Sequence, residues 1–240
     1  MAGIQYIFMS QNFRNPMKKI ILLIWICQFA FSGCKKEKED ASEPYKGKDY
    51  FPINTGHEIV YDVEHFIMTM GSGSWDTLKY QVKEITTGEY VDAEGRITQK
   101  IERYIDNDTT SGFVLYKTWA ANILTSTAHR VEDGIRFVKL AFPQNLNMVW
   151  NGNSLNAFGE RNYRYINLHV PLAINGVAFD STCTIVQFKD SNAVVSRNYT
   201  EQYATGTGMI SKLNSEVYYN VSGNAESGNI YIEKVFSYIK

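Results

Sequence analysis

Cysteine is scarce in this chain of 240 residues: Cys27, Cys34 and Cys183 are the only three. Only Cys183 lies in the long C-terminal portion, so no disulfide can staple that portion and its stability must come from a packed core. The flanks Ser181-Thr182-Cys183-Thr184-Ile185 read as a strand, which makes Cys183 a buried structural thiol rather than a nucleophile. A long apolar run is also missing. The stretch Ile20–Phe31 spans 12 residues, interrupted only by Gln28, whereas a membrane-spanning helix needs about 20. There is no excess of positive charge: Lys and Arg number 24 against 25 Asp and Glu. That balance excludes the basic patch by which nucleic acid is bound.

Motifs of catalysis and cofactor binding are equally absent. His57-Glu58 opens like a zincin motif, but the second histidine should stand four residues after the first, and that position is Tyr61. The remaining histidines, His65, His129 and His169, are dispersed over segments that read as strands. Gly206-Thr207-Gly208 lacks the third glycine and the following helix of a dinucleotide loop. Gly71-Ser72-Gly73 is a tight turn and not a nucleophile elbow. No cofactor, metal or catalytic residue is assigned on these grounds, and the chain reads as a non-enzyme. The carboxylates Glu58, Glu64, Glu84, Glu102, Asp180 and Glu233 are scattered. A glycosidase-like pair could meet across a sheet, but spacing selects none.

What is present begins with delivery. Lys18 and Lys19 precede the apolar run, and the small residues Ser32 and Gly33 follow it, the layout of a secretory leader. Met17 before the two lysines is a plausible true start, which leaves residues 1–16 as surplus. Phe31-Ser32-Gly33-Cys34 resembles the bacterial lipobox, with Phe in place of the usual Leu. The resemblance implies cleavage after Gly33 and acylation of Cys34 on its thiol and its new N-terminus. One acyl chain binds a membrane marginally, whereas several, at ~0.8 kcal/mol per buried CH₂, anchor it stably. Residues 1–33 are therefore read as a signal peptide, 34–48 as a charged tether, and 49–240 as a single β-rich domain. Lys35-Lys36-Glu37-Lys38-Glu39-Asp40 resembles the surface-export signals of Bacteroidetes lipoproteins, though it is less acidic. The expected location is the bacterial outer membrane, on the periplasmic face or the cell surface, with the lipid anchor as the membrane contact. Removing Arg14, Lys18 and Lys19 with the leader leaves 21 basic against 25 acidic residues, a mildly acidic mature chain.

The domain itself reads as strands. Tyr at 16 and Phe at 13 favour pleated, half-buried surfaces. Ile59, Tyr61, Val63, His65 and Ile67 alternate with Asp62 and Glu64; Leu78, Tyr80 and Val82 alternate with Lys79, Gln81 and Lys83. With Gly71-Ser72-Gly73-Ser74 between them these make a hairpin. Ile97–Ile105, Phe113–Trp119, Ile123–Val131 and Ile135–Ala141 follow as strands, with Asp133-Gly134 as a hairpin turn. A loop at 151–154 and one helical turn at Leu155–Glu160 come next. Later runs are Tyr163–His169, the turn Asn175-Gly176, Thr182–Phe188, Val217–Val221, a loop from Gly223 to Gly228, and Ile230–Tyr238. Ten to twelve short strands are expected: an all-β, antiparallel, strongly curved sheet or an open or closed barrel, with few short helical turns.

Three segments resemble an uncharacterised group of Bacteroidetes lipoproteins: Tyr50-Phe51-Pro52 through Gly56 and Tyr61-Asp62-Val63; Phe142-Pro143 with Trp150-Asn151-Gly152-Asn153; and Glu201 through Ile210. Position 59 is Ile where that group often has Trp. The resemblance implies a β-rich envelope protein, with a curved sheet like that of lipoprotein carriers, and attaches no activity. The function expected from these readings is a binding module for a partner, a glycan or an apolar ligand. An apolar carrier would need a cavity lined by residues such as Tyr61, Phe113, Trp119 or Phe137. The alternatives are an envelope hydrolase acting on glycans and a component of an outer-membrane assembly.

Overall fold

The computed structural model describes residues 47–107 and 112–239. The leader, the cleavage position after Gly33, the lipidation site Cys34 and the tether up to residue 46 lie outside the described residues. Gly47 and Lys48, at the tether's end, begin the folded unit: Lys48–Tyr50 is a short 3₁₀ turn. It is the one helical element among the described residues.

Twelve antiparallel strands follow: β1 Glu58–Met68, β2 Asp76–Val91, β3 Ile97–Asp106, β4 Val114–Ile123, β5 Thr127–Glu132, β6 Ile135–Ala141, β7 Val149–Asn151, β8 Asn162–Ile174, β9 Val177–Ser191, β10 Val195–Ala204, β11 Gly208–Tyr219 and β12 Ala225–Ile239. They form one sheet in the order β6-β5-β4-β3-β2-β1-β12-β11-β10-β9-β8-β7. Each strand thus pairs with its sequence neighbours except β6 and β7, which stand at the two edges, and the first strand pairs with the last along its whole length, Glu58 opposite Ile239 to Met68 opposite Gly228. The sheet curls into a nearly closed barrel whose seam falls between β6 and β7. There the Val138 amide donates to the Gly152 carbonyl at 2.9 Å. Trp150 Nε1 donates to the Val138 carbonyl at 2.9 Å, and Asn156 Nδ2 to the Arg136 carbonyl at 2.8 Å. One backbone bond and two side-chain donors do at the seam what a ladder does elsewhere, which covers an otherwise open edge.

A glycine is required at that seam. A β-carbon on Gly152 would overlap the Tyr163 ring, which is itself buried. Gly152→Ala is expected to cost about 1–3 kcal/mol, the usual penalty of overpacking. Thermal unfolding measures this, and an unchanged midpoint would contradict the close approach described.

The turn chemistry follows the sequence. Asp133 and Gly134 have φ of 51° and 83°, and Asn175 and Gly176 have 50° and 81°, the left-handed pair that a two-residue hairpin needs. Three register shifts in the β8–β9 pairing curl that hairpin. Its tip lies over the outside of β12 and β1: Asn175 Nδ2 donates to the Val235 carbonyl at 3.1 Å and to Asp62 at 3.2 Å. Phe179 packs on Tyr238.

Several boundaries differ from the sequence reading. Residues 155–158 are turn and bend and 159–160 irregular, not a helical turn; Asn151 and Asn156 side chains satisfy the local amides of Asn153, Arg161 and Phe158, so no helical bonds are needed there. Val149–Asn151 is a short strand in place of part of a loop, and β10 lies outside the runs expected from the sequence. The break between β4 and β5 falls at residues 124–126, and β12 starts at Ala225, inside the expected loop.

Candidate functional site

One end of the barrel is plugged and apolar. The chain enters through Tyr50 and Phe51, both buried among Ile59, Ile101, Tyr203 and Met209. Tyr50 Oη meets Ser181 Oγ at 2.6 Å and His169 Nδ1 at 3.1 Å, and the Gly206 amide donates to the Asp49 carbonyl at 2.7 Å. Tyr61, fully buried, donates to the Met209 carbonyl at 2.9 Å. Beneath the plug remains a cavity of about 20 Å³, room for roughly one water. Cys183 is buried here with Gln144 Nε2 at 3.8 Å from its sulfur, and burial raises its thiol pKa.

Above the plug the interior turns charged. Glu84 on β2 stands opposite Arg103 on β3; Glu201, Lys212 and Glu233 stand side by side on β10, β11 and β12. Arg103 reaches Glu84 at 3.1 Å and Glu233 at 2.5 Å, and Arg130 reaches Glu84 at 2.8 Å. Lys139 joins Glu201 at 2.5 Å to Glu132 at 3.0 Å, with Lys212 at 3.4 Å from Glu132 and 3.8 Å from Glu201. The Arg103 guanidinium lies on the Trp119 ring, 3.9 Å from its centre, and Tyr203 Oη donates to Glu201 at 2.7 Å. Four cations thus face four carboxylates in a layer that is neutral as a whole.

Burial works against every charge in this layer, and the partners decide each outcome. Desolvation would deprotonate Arg103, but Glu233 and Glu84 raise its pKa, so it stays charged. Glu201 and Glu132 are held below the carboxylate range because Lys139 and Lys212 outweigh their burial. Glu233 goes the other way. It shares one guanidinium with Glu84, so burial wins and its pKa is raised.

Beyond the charged layer the barrel opens into a mouth with two lobes that share Glu132, Lys212 and Asn214. One lobe, about 320 Å³, is lined by Phe137, Arg161, Tyr163, Gln187, Tyr199, Glu216 and Asn229 among others. The second, about 290 Å³, is lined by Tyr80, Arg103, Tyr116, Lys117, Trp119 and Tyr231. Aromatic faces, amides and charges converge in both. In the first lobe Glu216 is taken up by Arg197 at 2.7 Å and by the hydroxyls of Tyr199 at 3.0 Å and Tyr218 at 2.5 Å. In the second, Lys117 pairs with Asp133 at 2.7 Å.

Of the scattered carboxylates, the structure gathers Glu84 and Glu233 onto one arginine. Glu64 instead pairs with Lys79 at 2.6 Å, and Glu102 with Lys100 at 2.8 Å. No group of three or more His, Cys, Asp or Glu among the described residues is placed to hold a metal ion. His65 Nε2 meets Asn229 Oδ1 at 3.1 Å near the mouth, whereas His129 Nε2 meets Thr127 Oγ1 at 2.8 Å. Of the four residues named for an apolar cavity, Trp119 and Phe137 do line the mouth. Tyr61 fills the closed core, and Phe113 packs under the Lys83 ammonium at 4.7 Å. The cations Arg103, Arg130, Lys139 and Lys212, with Arg161 and Gln187, were not singled out in the sequence. Parity could have found some of them. Glu84 continues the inward series Tyr80, Val82, and Arg103 lies between Ile101 and Ile105.

No protein-family model matches the chain, and no curated protein does. A solved structure from Bacteroides fragilis, described as an exported protein with a YmcC-like fold, aligns over 79% of this chain and 98% of its own with a TM-score of 0.45 and 10% identity.

Proposed function

We propose that this protein is a lipid-anchored, non-enzymatic binding protein of the bacterial envelope that takes a saccharide in the open mouth of its barrel. One observation carries the reading. The mouth presents aromatic faces beside amide and charged groups, over a floor whose charges already neutralise one another. A ring with hydroxyls has one apolar face and many polar edges, and it needs that mixture. An apolar ligand would have to desolvate Lys212, Glu132 and Asn214, at a cost with no return. Catalysis is less well supported: Glu84 and Glu233 are buried and both bound to Arg103, which leaves neither poised as acid or base toward a sugar in the mouth. The anchor rests on the sequence around Cys34, and the envelope location with it.

The test uses purified full-length protein in detergent and a panel of neutral and acidic oligosaccharides, read by isothermal titration. At least one should bind. Tyr116→Ala, at a ring 57% exposed that lines the second lobe, should weaken that binding about tenfold, the value of one stacked aromatic contact, without lowering the melting temperature. Failure of the whole panel, or binding indifferent to Tyr116→Ala and to Arg161→Gln alike, would overturn the reading.

A further inference from the structure

The first lobe of the mouth is lined by three cations, Lys139, Arg161 and Lys212, and two carboxylates, Glu132 and Glu216. Both lysines are engaged by Glu132 and Glu201, and Glu216 by Arg197. Among the described residues, Arg161 alone of these has no carboxylate within ion-pair distance. Its guanidinium lies beside two aromatic rings, 5.0 Å from the centre of Phe188 and 5.3 Å from that of Tyr199. Those rings stand 5.9 Å apart on β9 and β10. Contacts of this kind attract the cation to the rings without consuming its N–H donors. A second, independent observation lies in the same lobe. Gln187 is only 6% exposed, and its Nε2 has no hydrogen-bond partner among the described residues. A buried donor without an acceptor is costly, and such groups call for an explanation.

We propose that this lobe selects a saccharide bearing a carboxylate: Arg161 receives the carboxylate through its fork, and the Gln187 amide donates to the same group or to a neighbouring hydroxyl. The proposal rests on the saccharide reading above and names the class of sugar. Arg–carboxylate pairs are often bidentate and roughly twice as strong as neutral hydrogen bonds, which gives the lobe both charge and orientation to select by. Among the described residues the engaged state of Lys139, Lys212 and Glu216 leaves Arg161 as the lobe's uncompensated charge, so an anionic ligand meets a net attraction.

The test compares a tri-uronate with its carboxyl-reduced, neutral counterpart on the full-length protein in detergent. The uronate should bind at least tenfold more tightly. Arg161→Gln should remove that preference by weakening uronate binding at least tenfold more than neutral trisaccharide binding, and Arg161→Lys should restore part of it. Should Arg161→Gln lower the melting temperature, Gln187→Glu provides the second variant. It sets a like charge beside the carboxylate and should weaken uronate binding more than neutral binding. Equal affinity for the two sugars, or a preference that survives Arg161→Gln, overturns this inference and leaves the saccharide reading standing. No binding of either sugar, or of any other on the panel, overturns both.

Discussion

Arg103→Ala should destabilise the domain by about 3–5 kcal/mol, the cost of stripping a buried charge pair of one partner. The guanidinium holds Glu84 and Glu233 at once and lies on Trp119. Without it Glu233, 1% exposed, keeps no ion-pair partner in the layer. Glu84 keeps Arg130, so the loss should be concentrated on Glu233. Adding Glu233→Gln to Arg103→Ala should therefore recover stability, because it removes the orphaned charge along with its partner. The pH dependence should change in the same direction. A buried carboxyl with a raised pKa favours the protonated form in the folded state. Its contribution to stability is greatest below the unfolded carboxylate pKa and is lost as pH rises through the folded value. Without Arg103 that pKa rises further, so the variant should gain stability on acidification over a wider range than the parent. Urea unfolding at two pH values measures both effects. A loss below 1 kcal/mol, or a double variant less stable than the single one, would contradict the role given to this layer.

Cys34→Ala should abolish acyl labelling and move the protein from the membrane fraction to the soluble fraction. The expected effect is all or none, since several chains at ~0.8 kcal/mol per CH₂ are removed together. Metabolic labelling with an alkyne fatty acid, followed by fractionation, reads both outcomes. Continued labelling, or membrane retention after a carbonate wash, would count against the anchor.

The parts of the barrel that could be read from the chain are those where local chemistry sets local geometry. The hairpin turns at Asp133-Gly134 and Asn175-Gly176 needed positive φ and had residues that supply it. The β1–β2 hairpin had a clean period of two. What stayed hidden depends on contacts far apart in sequence. Ile230, Ile232 and Phe236 look like the core face of the last strand, but the inward residues are Tyr231, Glu233 and Val235, and Phe236 is exposed. The inversion has a physical cause: the middle of this barrel is charged, so its inner face reads as polar. Ile97, likewise, is exposed although it shares a period with Ile101. Closure through β1 and β12 could not be read either, because no local signal marks the pairing of the first strand with the last. Arg161 was invisible for the same reason, since Phe188 and Tyr199 reach it only once β8, β9 and β10 are assembled.

The most direct measurement is a chemical-shift map of the isotope-labelled protein titrated with the tri-uronate. The account predicts perturbations centred on Arg161, Gln187, Asn214 and Asn229 in the mouth, extending to Tyr116, with Ile59, Met209 and the rest of the plugged end unmoved. Perturbations confined to the outer surface around Asn175 and Lys234, or none at saturating sugar, would contradict it.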